Sequence, residues 1–374
     1  MSSLQYSSTL GRKVRQDSNT DLGRPTRPFI TDSVQSGQVE TAKDWLDYFQ
    51  NEIEAVYYIF EVWNWYMADY YLQRSTDQTL RDLLELSMAP WLATTAGMSG
   101  ELFAAIHSSG HGYLLSAEGL TWKVHVLNGD KRFHLTLGLP EEQRERWESW
   151  RKTIDRAIEE GEISKFNKLL DQHVREVRLI HDILADWSWA LLTLIANKWG
   201  EEILEEVLRV TEEPWVTVRY ESLKTMSLED SLQITIEGMR GHFGGPDREG
   251  SIEIEEHSDR YELIFDACGT GSRMRRGDSL AGSGPRTESP YNFLMVQGSY
   301  DWTWNRKGVC AYCSHCGWVN QIFPIEQMGH PMRMTKYPDE SSDACRWIIY
   351  KDNNNYPVEA YTEVGKPAPA RQEN

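Results

Sequence analysis

Large apolar residues recur at three- and four-residue steps from Thr41 onward: Trp45, Phe49, Ile53, Val56, Phe60, Trp63, Met67 and Tyr70. That spacing is the period of one helix face, and it predicts a single amphipathic helix over residues 41–73. A shorter helix is expected from Asp77 to Leu86, stopped near Pro90, and another from Met98 to Ala117, interrupted by Gly110 and Gly112. Glu141 to Glu160 reads as a charged helix opening after Pro140. The longest periodic segment is Ile163 to Trp199, where Phe166, Leu170, Val174, Val177, Leu184, Trp187, Leu191 and Leu194 share a stripe and Gly200 ends it. Glu201 to Val210 is expected as a short helix. Ser227 to Met239 is expected as the last large one, with Ser227 as N-cap and two acids in its first turn.

After Gly244-Gly245-Pro246 the period changes. Ser251 to Glu255 and Tyr261 to Asp266 alternate apolar and polar across a short turn, the signature of a β-hairpin. Cys345 to Tyr350 reads as another strand, and residues 269–290 as loop. The first 40 residues are rich in Ser, Thr, Gly, Gln and Pro and are expected to form a flexible tail, or else an arm that wraps a partner subunit. The expected organisation is a tail over 1–40, a helical domain over 41–240, a smaller α+β domain with an antiparallel sheet over 241–355, and a polar tail over 356–374. The fold class is α+β.

Charge narrows the partners. Lys and Arg number 39 against 57 Asp and Glu, a net charge of −18. So acidic a chain is repelled by phosphate backbones, which argues against nucleic acid. The most apolar stretch, Ile183 to Ala196, contains Asp186, which argues against a membrane span, and no apolar h-region follows the first residues. A cytoplasmic location and a small-molecule partner are expected. The polar arm and the 15 Trp residues leave room for a homodimer.

All five cysteines lie between Cys268 and Cys345. Clustered cysteines in such a chain point to a metal or cluster rather than a disulfide scaffold. Cys310-Ala-Tyr-Cys313-Ser-His-Cys316 places three thiols at two-residue gaps, a spacing that can converge on one soft metal. Cys310, Cys313 and Cys316 are the expected ligands and Cys268 the leading fourth, with Cys345, His315 and Glu326 as alternatives. Zinc, a [4Fe–4S] cluster and copper(I) all suit thiolates. An open coordination position would make the metal a Lewis acid. Three buried small residues on a turn are the plain alternative.

Other candidates surround this motif. The segment Gly269-Thr-Gly271-Ser-Arg273-Met-Arg275-Arg276 is neither a dinucleotide fingerprint nor a phosphate loop. Arg273 and Arg275 are candidates to hold a substrate carboxylate, unless they pair with the protein's own acids. His315 is a candidate proton shuttle. Trp302 and Trp304 could wall a planar substrate, although core packing is the simpler role. His107 and His111, with Glu101 nearby, could line a pocket or bind metal. His173 and His181 share roughly one helix face, and His242 could close over the site from the junction of the two halves. The absence of Glu-x-x-His and His-Glu-x-x-His motifs disfavours ferritin-like and zincin readings.

The C-terminal third carries Phe265-Asp-Ala-Cys268, then Cys313-Ser-His-Cys316, then Pro331-Met-Arg-Met-Thr-Lys-Tyr, then Asp343-Ala-Cys345-Arg-Trp. This order resembles the L-2-amino-thiazoline-4-carboxylate hydrolase-like family and, more distantly, the vinyl-4-reductase-type sensor domains, which are small-ligand binders with a Cys-bearing zinc site. In the first family an Asp typically stands three residues after the second Cys; Cys316 stands there here, a change that favours metal binding over that family's hydrolysis. The resemblance implies opening or remodelling of a small ring containing C–N or C–S bonds. The expected function is therefore a metalloenzyme acting on a small, planar, anionic molecule by hydrolytic or lyase-type cleavage. The alternatives are a non-catalytic ligand binder with structural zinc, and an iron–sulfur redox or lyase enzyme.

Overall fold

The computed structural model describes residues 3–8, 10–17, 19–79, 82–83, 85–87, 89–90 and 141–370. The expected helix from Met98 to Ala117, and with it Glu101, His107 and His111, lies outside the described residues. The fold is α+β, with a helical core and antiparallel sheets.

The segment expected to be a tail is structured. Ser3–Ser7 (β1) and Arg12–Gln16 (β2) form an antiparallel hairpin, followed by Asn19–Leu22 (α1) and Arg27–Gln35 (α2). Its polar composition hides a few large anchors: Val14, Leu22 and Ile30 are buried. Arg15 is buried too, ion-paired with Asp17 and donating to the carbonyls of Asp21 and Arg24. Arg12 pairs with Glu237, and Ile252 N–H donates to Gly23 O at 2.9 Å, so this segment is docked on residues far along the chain.

The helical core follows the periodicity. Val39–Arg74 (α3) packs against α2 and four later helices: Glu141–Glu159 (α4), Ile163–Trp199 (α5), Ile203–Leu223 (α6) and Leu228–Gly241 (α7). Buried polar side chains pin the apolar faces in register. Asn64 donates to Leu184 O at 3.0 Å and accepts from Ser188 Oγ at 2.6 Å, while Trp63 Nε1 donates to Thr211 Oγ1 at 3.1 Å. α5 is long and apolar enough to cross a membrane by length and composition, but 89% of its apolar window is buried inside the protein, as in a core helix.

α6 departs from expectation by running thirteen residues past Val210, straight through Pro214. Proline removes one helix N–H and leaves the carbonyl four residues earlier unbonded. Here that carbonyl belongs to Val210, which is exposed, so water can satisfy it. α7 starts as expected, with Ser227 Oγ accepting from Asp230 N–H at 3.0 Å.

Glu253–Glu256 (β3), Arg260–Phe265 (β4), Met334–Lys336 (β7) and Cys345–Tyr350 (β8) form one antiparallel sheet in the order β3-β4-β8-β7. Met295–Val296 (β5) and Val309–Cys310 (β6) make a separate small pair. The sheet buries Leu263, Phe265, Trp347 and Ile349 against Leu22, Leu232 and Ile236. Within the expected loop over residues 269–290 lies a short helix, Gly271–Arg276 (α8). The expected C-terminal tail also packs: Tyr356, Ala360, Tyr361 and Val364 are buried.

The boundary expected near residue 241 is not a break in packing. The larger core is continuous from Ile30 through the helices to Trp302, Trp318 and Val364. Trp189 Nε1 donates to Leu294 O at 2.8 Å, and Leu294 N–H donates to Thr193 Oγ1 at 3.0 Å. A helix face and a loop that share both core and hydrogen bonds fold as one body.

Candidate functional site at the junction of the two halves

The polar chemistry of the core collects where α5, α6 and α7 meet the segment after β4 and the Cys310–Cys316 turn. On α5, His181, Asp182 and Asp186 are all buried. Asp182 takes Arg248 Nη2 at 2.6 Å and is approached by Arg273 Nε at 3.4 Å, while Asp186 takes Arg273 Nη2 and Arg286 Nε, each at 2.7 Å. Arg248 also pairs with Asp278. Burial pushes the Asp182 carboxyl up, but Arg248 and Arg273 outweigh it and hold the group well below the usual carboxylate range. This charge network fastens the segment from Arg248 to Arg286 onto α5.

The network fixes a proton chain. His181 Nδ1 lies 3.0 Å from Asp182 Oδ1, and His181 Nε2 lies 3.1 Å from His242 Nδ1. Burial lowers the pKa of both imidazoles. A neutral ring carries one N–H, so His181 donates from Nδ1 to Asp182 and accepts at Nε2 from His242 Nδ1–H. His242 is left with a bare lone pair on Nε2.

A second imidazole is anchored in the same manner. His315 Nδ1 lies 2.8 Å from Glu212 Oε1 on α6. Its ring lies 4.8 Å from that of Trp63 and 6.2 Å from that of Trp215. Glu212 is fully buried; burial raises its pKa, and the neighbouring His315 opposes the rise. Its other oxygen, Oε2, has no hydrogen-bond partner among the described residues. In the neutral ring that donates from Nδ1 to Glu212, the His315 Nε2 would be the acceptor nitrogen. Phe60 packs edge-on against both His181 and His242, and Tyr312 stands 6.2 Å from His315, which closes the surroundings with aromatic rings.

Cys268 enters from the turn after β4. Its Sγ accepts from Ser272 N–H at 3.2 Å and lies 3.4 Å from Ser272 Oγ. The next residue, Gly269, lies so close to His242 O that a Cβ there would overlap it, so the Cys268 turn rests directly on the His242 backbone. Cys268, Cys316, His242 and His315 all remain half-buried rather than sealed. Burial pushes the Cys316 and Cys345 thiols well up, and Cys313, in hydrogen-bond contact with Cys310, is raised as well.

The expected metal site does not assemble as one cage. A tetrahedral zinc with bonds of about 2.3 Å to sulfur requires ligand atoms about 4 Å apart. Cys268, Cys310, Cys313 and Cys316 occupy one neighbourhood, yet no three of their sulfurs lie within 4.8 Å of one another. Cys313 Sγ sits in the space that a Cβ at Gly271 would fill. Cys345 packs with Cys268 and Cys316 in the sheet core. Glu326 faces away, bound by Arg209 at 2.8 Å and Lys366 at 2.6 Å. Among the described residues, the trio of potential ligands that does lie within 4.8 Å is Glu255, His257 and Glu262, on the β3–β4 hairpin, where Arg260 already occupies Glu262.

The expected substrate-holding residues are corrected in the same way. Arg273 is buried, its charge is met by Asp186 and Asp182, and its Nε donates to Gly269 O at 2.9 Å, so it pairs with the protein's own acids. Arg275 is buried, donating to Glu340 O and stacked on Tyr337. Trp302 and Trp304 are core residues: the first stacks on Tyr300, and the second donates from Nε1 to Gln321 Oε1 at 2.8 Å and stacks on Tyr337. His173, expected to share a face with His181, lies apart from the junction, stacked on Trp150.

Comparison with family models, curated proteins and solved structures finds no match.

Three residues of the junction were not singled out from sequence. Glu212 and Arg219 were missed because α6 was ended at Val210; with the helix extended, Glu212, Trp215, Val216, Arg219 and Tyr220 fall on one stripe, where two charges among apolar residues are conspicuous. Asp182 was hidden by being next to His181 within an apolar run.

Proposed function

We propose that the protein is an enzyme of small-molecule metabolism that cleaves a C–N or C–S bond in a small, planar, anionic substrate, with Cys268 as nucleophile and His315 and His242 as proton carriers. The observation that supports this most is the pair of imidazoles, each tethered through Nδ1, with the half-buried Cys268 on a turn that rests on the His242 backbone. A tethered imidazole is the common general base for thiol chemistry. In the reaction, the Cys268 proton passes to an imidazole and the sulfur adds to the electrophilic carbon. The departing ring nitrogen or sulfur takes that proton back, and water then releases the carbon from Cys268. The backbone N–H of Ser272 stabilises the thiolate while it is exposed. The resemblance of the C-terminal third to the thiazoline-carboxylate hydrolase-like family points to the same bond types.

The test is a panel of cyclic C–N and C–S carboxylates, starting from 2-aminothiazoline-4-carboxylate, followed by loss of ring absorbance and by product mass. Turnover by the wild type that disappears in Cys268→Ser and falls by about 10²–10⁴ in His315→Gln supports the reading. Turnover unchanged in Cys268→Ser would overturn it.

A second reading places zinc or an iron–sulfur cluster among the thiols. It draws support from the packing of Cys268, Cys316 and Cys345, distant in sequence, into one core. As placed, the sulfurs are too far apart for one tetrahedral ion, and no step is derived through a metal. Elemental analysis of anaerobically purified protein decides this reading: about one zinc or four irons per chain would sustain it.

A further inference from the structure

One stripe of α7 carries Thr235 and Gly238 and, continued to the C-cap, His242, at positions i, i+3 and i+7. Thr235 Oγ1 accepts from Arg333 Nη1 at 3.1 Å. Gly238 has no side chain, and Arg219 Nη2 lies 3.8 Å from the place its Cβ would take. At 1.5 Å of rise per residue, the Arg219 guanidinium is therefore about 6 Å along the helix from His242, the length of a small organic molecule.

We propose that Arg219, backed by Arg333, is the anion-binding pole of this site and takes the carboxylate of a small planar organic acid.

Several other deep guanidiniums of the core are neutralised by the protein itself: Arg15 by Asp17, Arg240 by Glu52, Arg248 by Asp182 and Asp278, and Arg273 and Arg286 by Asp186. Arg275, Arg333 and the half-buried Arg178 and Arg219 have no carboxylate partner among the described residues, and of these Arg275 is spent on Glu340 O and the Tyr337 ring. Among the described residues Arg219 makes no hydrogen bond or ion pair, and Arg333 meets only neutral groups: the oxygens of Asn320, Thr235 and Tyr220 and the Trp347 ring. Glu237, the carboxylate whose field reaches Arg219, is already held by Arg12. Burial, with Arg333 adding to it, lowers Arg219 to about 10, so it stays charged at neutral pH. Leaving a desolvated cation unpaired in a chain with 57 acids and 39 bases is costly, and a bound carboxylate relieves that cost through a bidentate fork.

The surroundings select shape as well as charge. Trp215 lies one turn before Arg219 on α6, and its Nε1 is buried without a partner among the described residues. A cleft lined by Leu232, Thr235, Pro331 and Met332 reaches Arg333.

This inference rests on the junction being a substrate site only for the role of the anion in turnover; binding is measured without turnover. The probe is thiophene-2-carboxylate, compared by calorimetry on the full chain with its uncharged isostere thiophene-2-carboxamide. The carboxylate is expected to bind about tenfold more tightly, Arg219→Gln to erase that difference, and Arg219→Lys to keep part of it. Cys268→Ser is expected to retain the carboxylate, which separates a failed anion site from a failed nucleophile. As a check on the unmutated protein, thiophene-2-carboxylate should shield Arg219 from phenylglyoxal in peptide mapping while the carboxamide does not. Equal binding of acid and amide, no binding of the acid at millimolar concentration, full binding by folded Arg219→Gln, or an unshielded Arg219 would each overturn the proposal.

Discussion

His181 and His242 meet through one hydrogen bond, Nε2 to Nδ1 at 3.1 Å, and Asp182 at the far end of that chain decides which nitrogen carries the proton. Replacing Asp182 with Asn removes the charge that compensates Arg248 and Arg273. Because the pair is buried, breaking one side leaves uncompensated charge, and a loss of about 3–5 kcal/mol is expected in denaturant unfolding. A loss below about 1 kcal/mol would mean that the network is not assembled as described.

Acid should loosen the fold before it reaches the carboxylate range. Burial holds His173 down at about 3, and burial also lowers His181 and His242. Unfolded histidine titrates near 6.5, so below that pH the unfolded chain binds protons that the folded chain refuses. Stability is therefore complete above about pH 7 and falls as pH drops, by at most about 1.4 kcal/mol per unit for each such histidine. His173→Phe, which keeps a ring on Trp150 but carries no proton, should make that fall shallower. An unchanged slope in pH-dependent unfolding would contradict the buried, neutral state of His173.

The helical pattern was legible because α3 and α5 repeat large apolar residues at helical spacing for more than thirty residues each. The site was legible only in part. His315, His242 and Cys268 announce themselves by residue type; the fold brings the field of His315 to His242 and seats the Cys268 turn on the His242 backbone. Arg273 and Arg275 misled because a sequence shows a cation but not the acid that will consume it, and Asp186 lies 87 residues from Arg273. The N-terminal segment misled for a related reason: its anchors are single residues such as Ile30 and Arg15, whose partners are set by the tertiary fold rather than by a local period.

Thiol reactivity should rank by environment. Cys310 is sealed, and Cys313, Cys316 and Cys345 are raised, so their thiolate fractions at neutral pH are small. Iodoacetamide on the native chain should label Cys268 first, read by peptide mass mapping over time. Earlier labelling of Cys316 would shift the nucleophile assignment to that residue.

The two glycines of the Cys268 turn should differ in tolerance. A Cβ at Gly269 collides with the His242 carbonyl, which is backbone and cannot rotate away. A Cβ at Gly271 meets the Cys313 sulfur, the end of a side chain that can. Gly269→Ala is expected to cost about 1–3 kcal/mol or more and Gly271→Ala less, by thermal unfolding. The reverse order would mean that the turn does not rest on His242.

The docking of the first 35 residues has a consequence for how the chain is made. α2 meets α3 as soon as that helix is made, but Gly23 finds Ile252, Leu22 finds Arg240 and Arg12 finds Glu237, so these three partners emerge more than two hundred residues later. At about 5–20 residues per second, the segment waits roughly 10–45 s on the ribosome before its seat is complete. Its polar composition suits that interval: a sequence with few apolar anchors can remain solvated without aggregating until α7 and the sheet arrive to lock it in place.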